Sequence, residues 1–156
     1  MSRSTQPVLI ASDHAGYAFK CALQKLMPQW TWKDLGPFQE GEKVDYPDFA
    51  TRLCEELLAQ DPDGKKDLQG ILICGSGIGM SIAANKVSGI RAALVENPIS
   101  ARLSREHNHA NILCLGARFL APEYGVEIVG TWLKTPFTQD ARHAHRIQKI
   151  HKIEKK

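Results

Sequence analysis

The sequence predicts an α/β protein: a doubly wound, five-stranded parallel sheet in a Rossmann-like, three-layer α/β/α sandwich. Three observations carry this expectation. Short, almost wholly apolar runs recur along the chain, and between them lie longer stretches with apolar residues at helical spacing. Strands that read as buried on both faces and alternate with helices build a parallel sheet covered on both sides. The length, 156 residues, holds five such units in a single domain spanning 1–156. Residues 1–6 are the candidate flexible end.

The elements follow in order. Val8 to Ala11 reads as a buried strand. Gly16 to Met27 reads as a helix with Phe19, Leu23 and Leu26 on one face. Trp30 to Leu35 is a second strand, stopped by Gly36-Pro37. Pro47 to Gln60 is a helix that opens with proline in its first turn, with Phe49, Leu53 and Leu57 as its stripe. After a polar loop over 61–66, Gly70 to Cys74 is the clearest buried strand. A turn, Gly75-Ser76-Gly77-Ile78-Gly79, leads into a helix over 80–86. Arg91 to Val95 is a strand, Pro98 to Glu106 a helix and Asn111 to Leu115 the fifth strand. Helices over 122–133 and about 142–153 complete the chain.

Composition excludes several function classes. Hydrophobic residues make up 43% and charged residues 24%, as in ordinary globular domains. The net charge of +3 does not call for nucleic acid, and part of it comes from the terminal Lys149, Lys152, Lys155 and Lys156, a short run that reads as a solvated face. No stretch approaches the roughly 20 apolar residues of a membrane span, and the first residues lack a signal-peptide pattern. Neither a nucleic-acid nor a membrane partner is expected. Cys21, Cys54, Cys74 and Cys114 form no C-x-x-C pair, which favours reduced thiols in a cytoplasm.

In open sheets of this type ligands bind beyond the carboxyl ends of the strands. Those ends carry Ser12-Asp13-His14, the stretch from Cys74 to Gly79, Glu96-Asn97 and Gly116-Ala117-Arg118. The glycines of the 75–79 turn let backbone N–H groups converge on an anion or a developing oxyanion. Cys74 stands at the mouth of this turn, where a positive helix terminus favours thiolate, so it reads as a general base or nucleophile. It reads equally as a small buried residue closing the strand. Cys21, Cys54 and Cys114 fall inside elements and read as structural. A dinucleotide site fits poorly: Gly75 and Gly77 with Glu96 match in part, but Met80 stands where the third glycine belongs, and no G-K-[ST] follows for a P-loop.

Asp13 is a candidate helix cap, or with His14 a ligand for hydroxyls or phosphate. His107 ends a helix and titrates near neutrality, which suits proton transfer to a sugar oxygen; a terminal cap is the plainer alternative. Arg142 and Arg146, four apart, share a helix face and can hold a phosphate together or lie in solvent. Arg118 is a further candidate. The His-x-His pairs at 107/109 and 143/145 lack a third nearby ligand, so no metal site is expected.

Together, several segments resemble the B-type ribose-5-phosphate isomerase family, which also contains galactose-6-phosphate and allose-6-phosphate isomerases. They are Ser12 to Gly16, Asp45-Tyr46-Pro47, Gly70 to Lys86, Gly89 to Ala92, Leu103 to Asn108, Asn111 to Leu113, Gly116 to Arg118, and Arg142-His143 with Arg146. They stand in the family's order from residue 8 to about 150, and the block around Cys74 is long and specific.

The resemblance implies an aldose–ketose isomerase working through a cis-enediolate, without metal or cofactor. Cys74 would carry the proton between C2 and C1, and His107 would be the acid that opens the furanose ring. Amides of Gly75, Ser76, Gly77, Ile78 and Gly79 would stabilise the enediolate. Asp13, Ser76 and Asn108 would hold sugar hydroxyls, and Tyr46 would line the pocket. His14, Arg118, Arg142 and Arg146 would surround the phosphate.

Where some relatives place a catalytic glutamate, Met80 stands here, so the chain looks like the cysteine type. Ser76 replaces the threonine of many relatives and keeps the hydroxyl. The resemblance also implies a homodimer or homotetramer with active sites shared between subunits. A six-carbon sugar phosphate as substrate, or a sugar-phosphate-binding module without catalysis, are the alternatives.

Overall fold

The computed structural model describes residues 6–154. Expectations placed on residues 1–5 and on the last two lysines lie outside them.

Five strands form one sheet: β1 (Val8–Ser12), β2 (Trp32–Asp34), β3 (Gly70–Cys74), β4 (Ala92–Leu94) and β5 (Ile112–Gly116). Their order is β2-β1-β3-β5-β4, and every pairing is parallel. The helices are α1 (Tyr17–Leu26), α2 (Tyr46–Gln60), α3 (Ile78–Ala84), α4 (Pro98–Asn108), α5 (Pro122–Lys134) and α6 (Ala141–Ile153). The predicted fold class holds.

Alternation along the strands divides the core in two. Val8, Ile10, Ile71, Ile73, Leu113 and Leu115 face the side that carries Phe19 and Leu23 of α1, Ala101 of α4 and Trp132 of α5. Leu9, Ala11, Leu72, Cys74, Ile112 and Cys114 face α2 and α3, meeting Leu53, Leu57 and Met80. The three central strands are buried at every residue, which is why they read as unbroken apolar runs.

Both edge strands have three residues, shorter than the sequence predicts, because each pairs on one side only. Leu26, expected on the buried stripe of α1, is 45% exposed, and Met27 takes its place at 1%. The buried row is Phe19, Leu23, Met27, a strict i, i+4, i+8 series. Lys20 is buried beside that row, and its ammonium donates to Asp34 Oδ1 and to the Pro37 carbonyl oxygen, each at 2.7 Å.

The chain leaves β1 toward β2 on one side and returns to β3 on the other. The crevice between the carboxyl ends of β1 and β3 is therefore the topological switch point, where open α/β sheets take their ligands.

Candidate active site

Four segments meet at that crevice. The Asp13 amide, following β1, donates to the Ile73 carbonyl oxygen (3.0 Å). Its buried carboxylate accepts from the Gly16 amide (2.9 Å), which fixes the turn before α1; the helix itself is capped at Gly16 without a side-chain bond, so Asp13 is not its N-cap. Gly16 lies so close to β3 that a Cβ would fall 2.6 Å from the Ile73 carbonyl oxygen. His14 is exposed, with Nδ1 3.1 Å from the Val44 carbonyl oxygen. That contact ties it to the segment leading into Tyr46, the first residue of α2.

Cys74 ends β3 and is only 4% exposed. Its Sγ accepts from the Gly77 amide (3.1 Å). The turn makes this possible. Gly77 has φ +75°, and a Cβ there would lie 2.6 Å from Leu94 Cδ1 and 2.9 Å from the Leu115 carbonyl carbon. Ser76 Oγ accepts from the Ile78 amide (3.3 Å). The Tyr46 ring lies against Gly79, and the Arg118 guanidinium lies over Gly75, each at a distance a methyl group would not allow. Arg118 is held by its own amide donating to the Gly75 carbonyl oxygen (3.0 Å). Asp13, His14, Tyr46, the 74–79 turn and Arg118 thus form one cluster.

The other cysteines differ. Burial pushes Cys54 up to about 12 and Cys114 well above the usual thiol range, so both are protonated at neutral pH. Cys21 is exposed.

His107, Asn108, Arg142 and Arg146 form a second cluster elsewhere. His107 and Asn108 are the last two residues of α4. The His107 ring stacks on His143 of α6, centroids 4.2 Å apart at 19°. Desolvation in that contact, and then His107 itself, hold His143 below the usual imidazole range. Arg142 donates to both carboxylate oxygens of Asp140 (Nε to Oδ1 3.2 Å, Nη2 to Oδ2 3.1 Å). These bonds, joined by one from the Arg142 amide, hold Asp140 down to about 2.

The two clusters lie at opposite ends of the sheet. The Asn111 carbonyl, three residues past Asn108, accepts from the Gly70 amide at the start of β3. Cys74 is at its finish, four residues on, or about 13 Å at the usual strand rise. Within one chain, His107 and Cys74 do not converge.

Residues that the sequence reading passed over hold the second cluster. Asp67, at φ +53°, receives Arg105 Nη2 at 2.8 and 2.6 Å and His109 Nε2 at 2.9 Å. Burial alone would raise Asp67, but hydrogen bonds from His109 and Arg105, with their charges, outweigh it and leave the carboxyl below its usual range. Arg91 donates to the carbonyl oxygens of Asn108 (3.0 Å) and His109 (2.7 Å). Nothing local in the sequence marks Asp67 as the partner of a residue 38 positions away.

A cleft of about 540 Å³ also opens at this far end, lined by Asp61, Asp67, Arg91, His109, His151 and Glu154 among others. Its polar groups engage one another: Arg91 Nη1 lies 2.9 Å from His151 Nε2, and Glu154 accepts from Ser88 Oγ and the Gly89 amide. The cleft is remote from Cys74.

The model of the Ribose/Galactose Isomerase family matches residues 8–150, nearly the whole described chain. The chain belongs to that family. The solved structure of ribose-5-phosphate isomerase B from Clostridium thermocellum is 45% identical, with a TM-score of 0.87 over 96% of this chain and 98% of that one. The ribose-5-phosphate isomerase B from Mycoplasma genitalium, solved with bound ribulose-5-phosphate, is 40% identical, with a TM-score of 0.86 over 96% and 97%. The D-erythrulose-4-phosphate isomerase of Pectobacterium atrosepticum is 39% identical over 145 residues, 92% of this chain and 91% of its own. The resemblance read from the motifs is therefore borne out at the level of family and fold. Among the described residues no helix is long and apolar enough to cross a membrane.

Proposed function

We propose that this protein is a cytoplasmic aldose–ketose isomerase that interconverts ribose 5-phosphate and ribulose 5-phosphate through a cis-enediolate, in a site completed by a second copy of the chain. The observation that carries the reading is Cys74 Sγ at the switch point, accepting the Gly77 amide at the mouth of the glycine turn. A similar structure with ribulose-5-phosphate bound supports the substrate class.

His107 protonates the ring oxygen as the C1–O bond of the furanose breaks, and the C1 hydroxyl gives up its proton to solvent to form the aldehyde, so opening leaves the proton count unchanged. Cys74 then takes the proton from C2, and the charge spreads onto the enediolate oxygens, where turn amides stabilise it by roughly 3 kcal/mol. Cys74 returns the proton to C1. One carbon-bound proton has moved from C2 to C1 and one hydroxyl proton from O2 to O1, so no redox partner enters. Asp13, Ser76 and Asn108 hold hydroxyls, and Tyr46 closes the pocket over Gly79. His14, Arg118, Arg142 and Arg146 bind the phosphate.

The opposite placement of the two clusters supports a shared site: His107, Asn108, Arg142 and Arg146 of one copy serve Cys74 of another. An apolar face beside the turn suits that docking. Ile78 and Ile82 of α3 are 51% and 57% exposed, and Ile99 at the start of α4 is 65% exposed. Leu94 of the edge strand reaches from this region to Gly77. Exposed apolar side chains on helices beside a sheet edge suit an association surface.

The test is isomerisation of ribose 5-phosphate by the purified protein with EDTA present, beside Cys74→Ala. Activity in the wild type and its near-abolition in the variant support the reading; robust activity in the variant overturns the base assignment. A four-carbon relative at similar identity makes chain length a second arm of the assay. Faster turnover of a four- or six-carbon sugar phosphate would shift the substrate while leaving the chemistry unchanged, and inactivity on all three would favour a binding module.

A further inference from the structure

The mechanism above leaves unexplained why a charged network is built behind His107. Arg105 is fully buried, and its guanidinium is spent on three anchors: both carboxylate oxygens of Asp67, the Ala110 carbonyl oxygen (2.7 Å) and the Thr135 carbonyl oxygen (3.2 Å). His109 caps α4 in the left-handed region (φ +47°), points Nε2 at the same Asp67 oxygen that Arg105 uses, and stacks on Phe137 at 4.9 Å. Arg105 and His109 are the residues two before and two after His107. One carboxylate therefore grips the final turn of α4 on both sides of His107.

Asp67 adopts a backbone conformation (φ +53°) that a non-glycine residue rarely takes and that Asp and Asn tolerate best. An irregular backbone held in this way persists where the surroundings fix it. We propose that Asp67 is a positioning residue for His107, holding through Arg105 and His109 the orientation in which the imidazole reaches the sugar ring oxygen. The inference rests on the reading of His107 as the ring-opening acid. Asp67 acts through Arg105 and His109, from the loop before β3, at the end of the strand opposite Cys74.

Asp67→Asn tests this cleanly, because asparagine keeps the left-handed backbone and one acceptor oxygen while removing the charge. Two rates are read on the purified protein. The first is conversion of ribose 5-phosphate, which needs ring opening. The second is exchange of solvent deuterium into C1 of ribulose 5-phosphate. That ketose has its O5 phosphorylated and cannot close a five-membered ring, so the exchange uses the Cys74 half alone. A displaced His107 lowers kcat for conversion by roughly tenfold to a hundredfold and leaves exchange within about twofold of wild type. Arg105→Lys, which keeps the charge but cannot hold Asp67, Ala110 and Thr135 at once as Nη2, Nη1 and Nε do, gives the same pattern.

Parallel loss of conversion and exchange would overturn the proposal, since that is what general weakening of the fold produces. Unchanged conversion in both variants would overturn it as well. His107→Ala, run alongside, separates the proposal from the reading beneath it. If His107→Ala loses conversion but keeps exchange, the acid assignment stands and Asp67 is judged on its own variants. If His107→Ala converts ribose 5-phosphate as fast as wild type, the acid assignment fails and takes the proposal with it.

Discussion

At the scale of single residues, the account rests on chemical differences among similar side chains. Three thiols are buried, yet only Cys74 lies at a strand end where a turn amide points at its sulfur. Iodoacetamide is therefore expected to inactivate the enzyme through Cys74, and sugar phosphate to protect it. Cys21, exposed on α1, will alkylate without consequence, so Cys21→Ala should inactivate at the wild-type rate; a protected Cys21→Ala enzyme would contradict the assignment. The stacked His107 and His143 give a second prediction. His143 has its folded value lowered, so its contribution is present above the unfolded value of about 6.5 and is lost as pH falls through the folded value. Docking of α6 on α4, and activity with it, should weaken on that acid limb, and His143→Gln should flatten it in a pH–rate profile.

At the scale of elements, the glycine turn and the cap of α4 each have a distinct sensitivity. Gly77→Ala places a methyl group into Leu94 and the backbone of β5 at a positive φ, which is expected to lower stability by about 1–3 kcal/mol. Denaturant unfolding reads this, with activity lost at temperatures where the variant is still folded. Asp67 sits below the ordinary carboxyl range. Its contribution to stability is present above about 3.9 and is lost as the pH falls through the lower folded value. Asp67→Asn should therefore lose less stability than wild type on acidification through that window.

Much of this scale was legible in the sequence. The central strands announced themselves as apolar runs, and the turn after Cys74 as a cluster of glycines. Boundaries were less legible: α2 starts at Tyr46, α3 at Ile78, and α4 continues to Asn108. Leu26 was misplaced because periodicity fixes a face only to within a residue at a helix end, where Met27 fits the core better. The Asp67–Arg105 pair was out of reach because its partners meet only after the sheet has formed.

At the scale of the molecule, the sequence motifs named candidate site residues but not their distribution over two ends of the sheet. Residue types report chemistry, whereas the path of α4 back to the start of β5 decides where His107 lies. On the proposed mechanism an isolated chain presents two half-sites, one at each end of the sheet. On the same proposal wild type is expected to sediment as an oligomer and Ile82→Glu, a charge placed on the exposed side of α3, to sediment as a monomer with its helical signal intact. Isomerase activity should fall at least about a hundredfold, since each half-site loses its complement.

Mixing two inactive variants is the most direct test of the central claim, that Cys74 and His107 act together across two copies of the chain. Cys74→Ala and His107→Ala are purified separately, mixed in equal amounts, dissociated and reassociated. Random pairing makes half of the dimers hybrid, and each hybrid carries one intact site and one doubly altered site, so activity on ribose 5-phosphate should return to about a quarter of wild type. A mixture as inactive as its two components, with hybrids demonstrably formed, would place both residues in the site of a single chain and contradict the account.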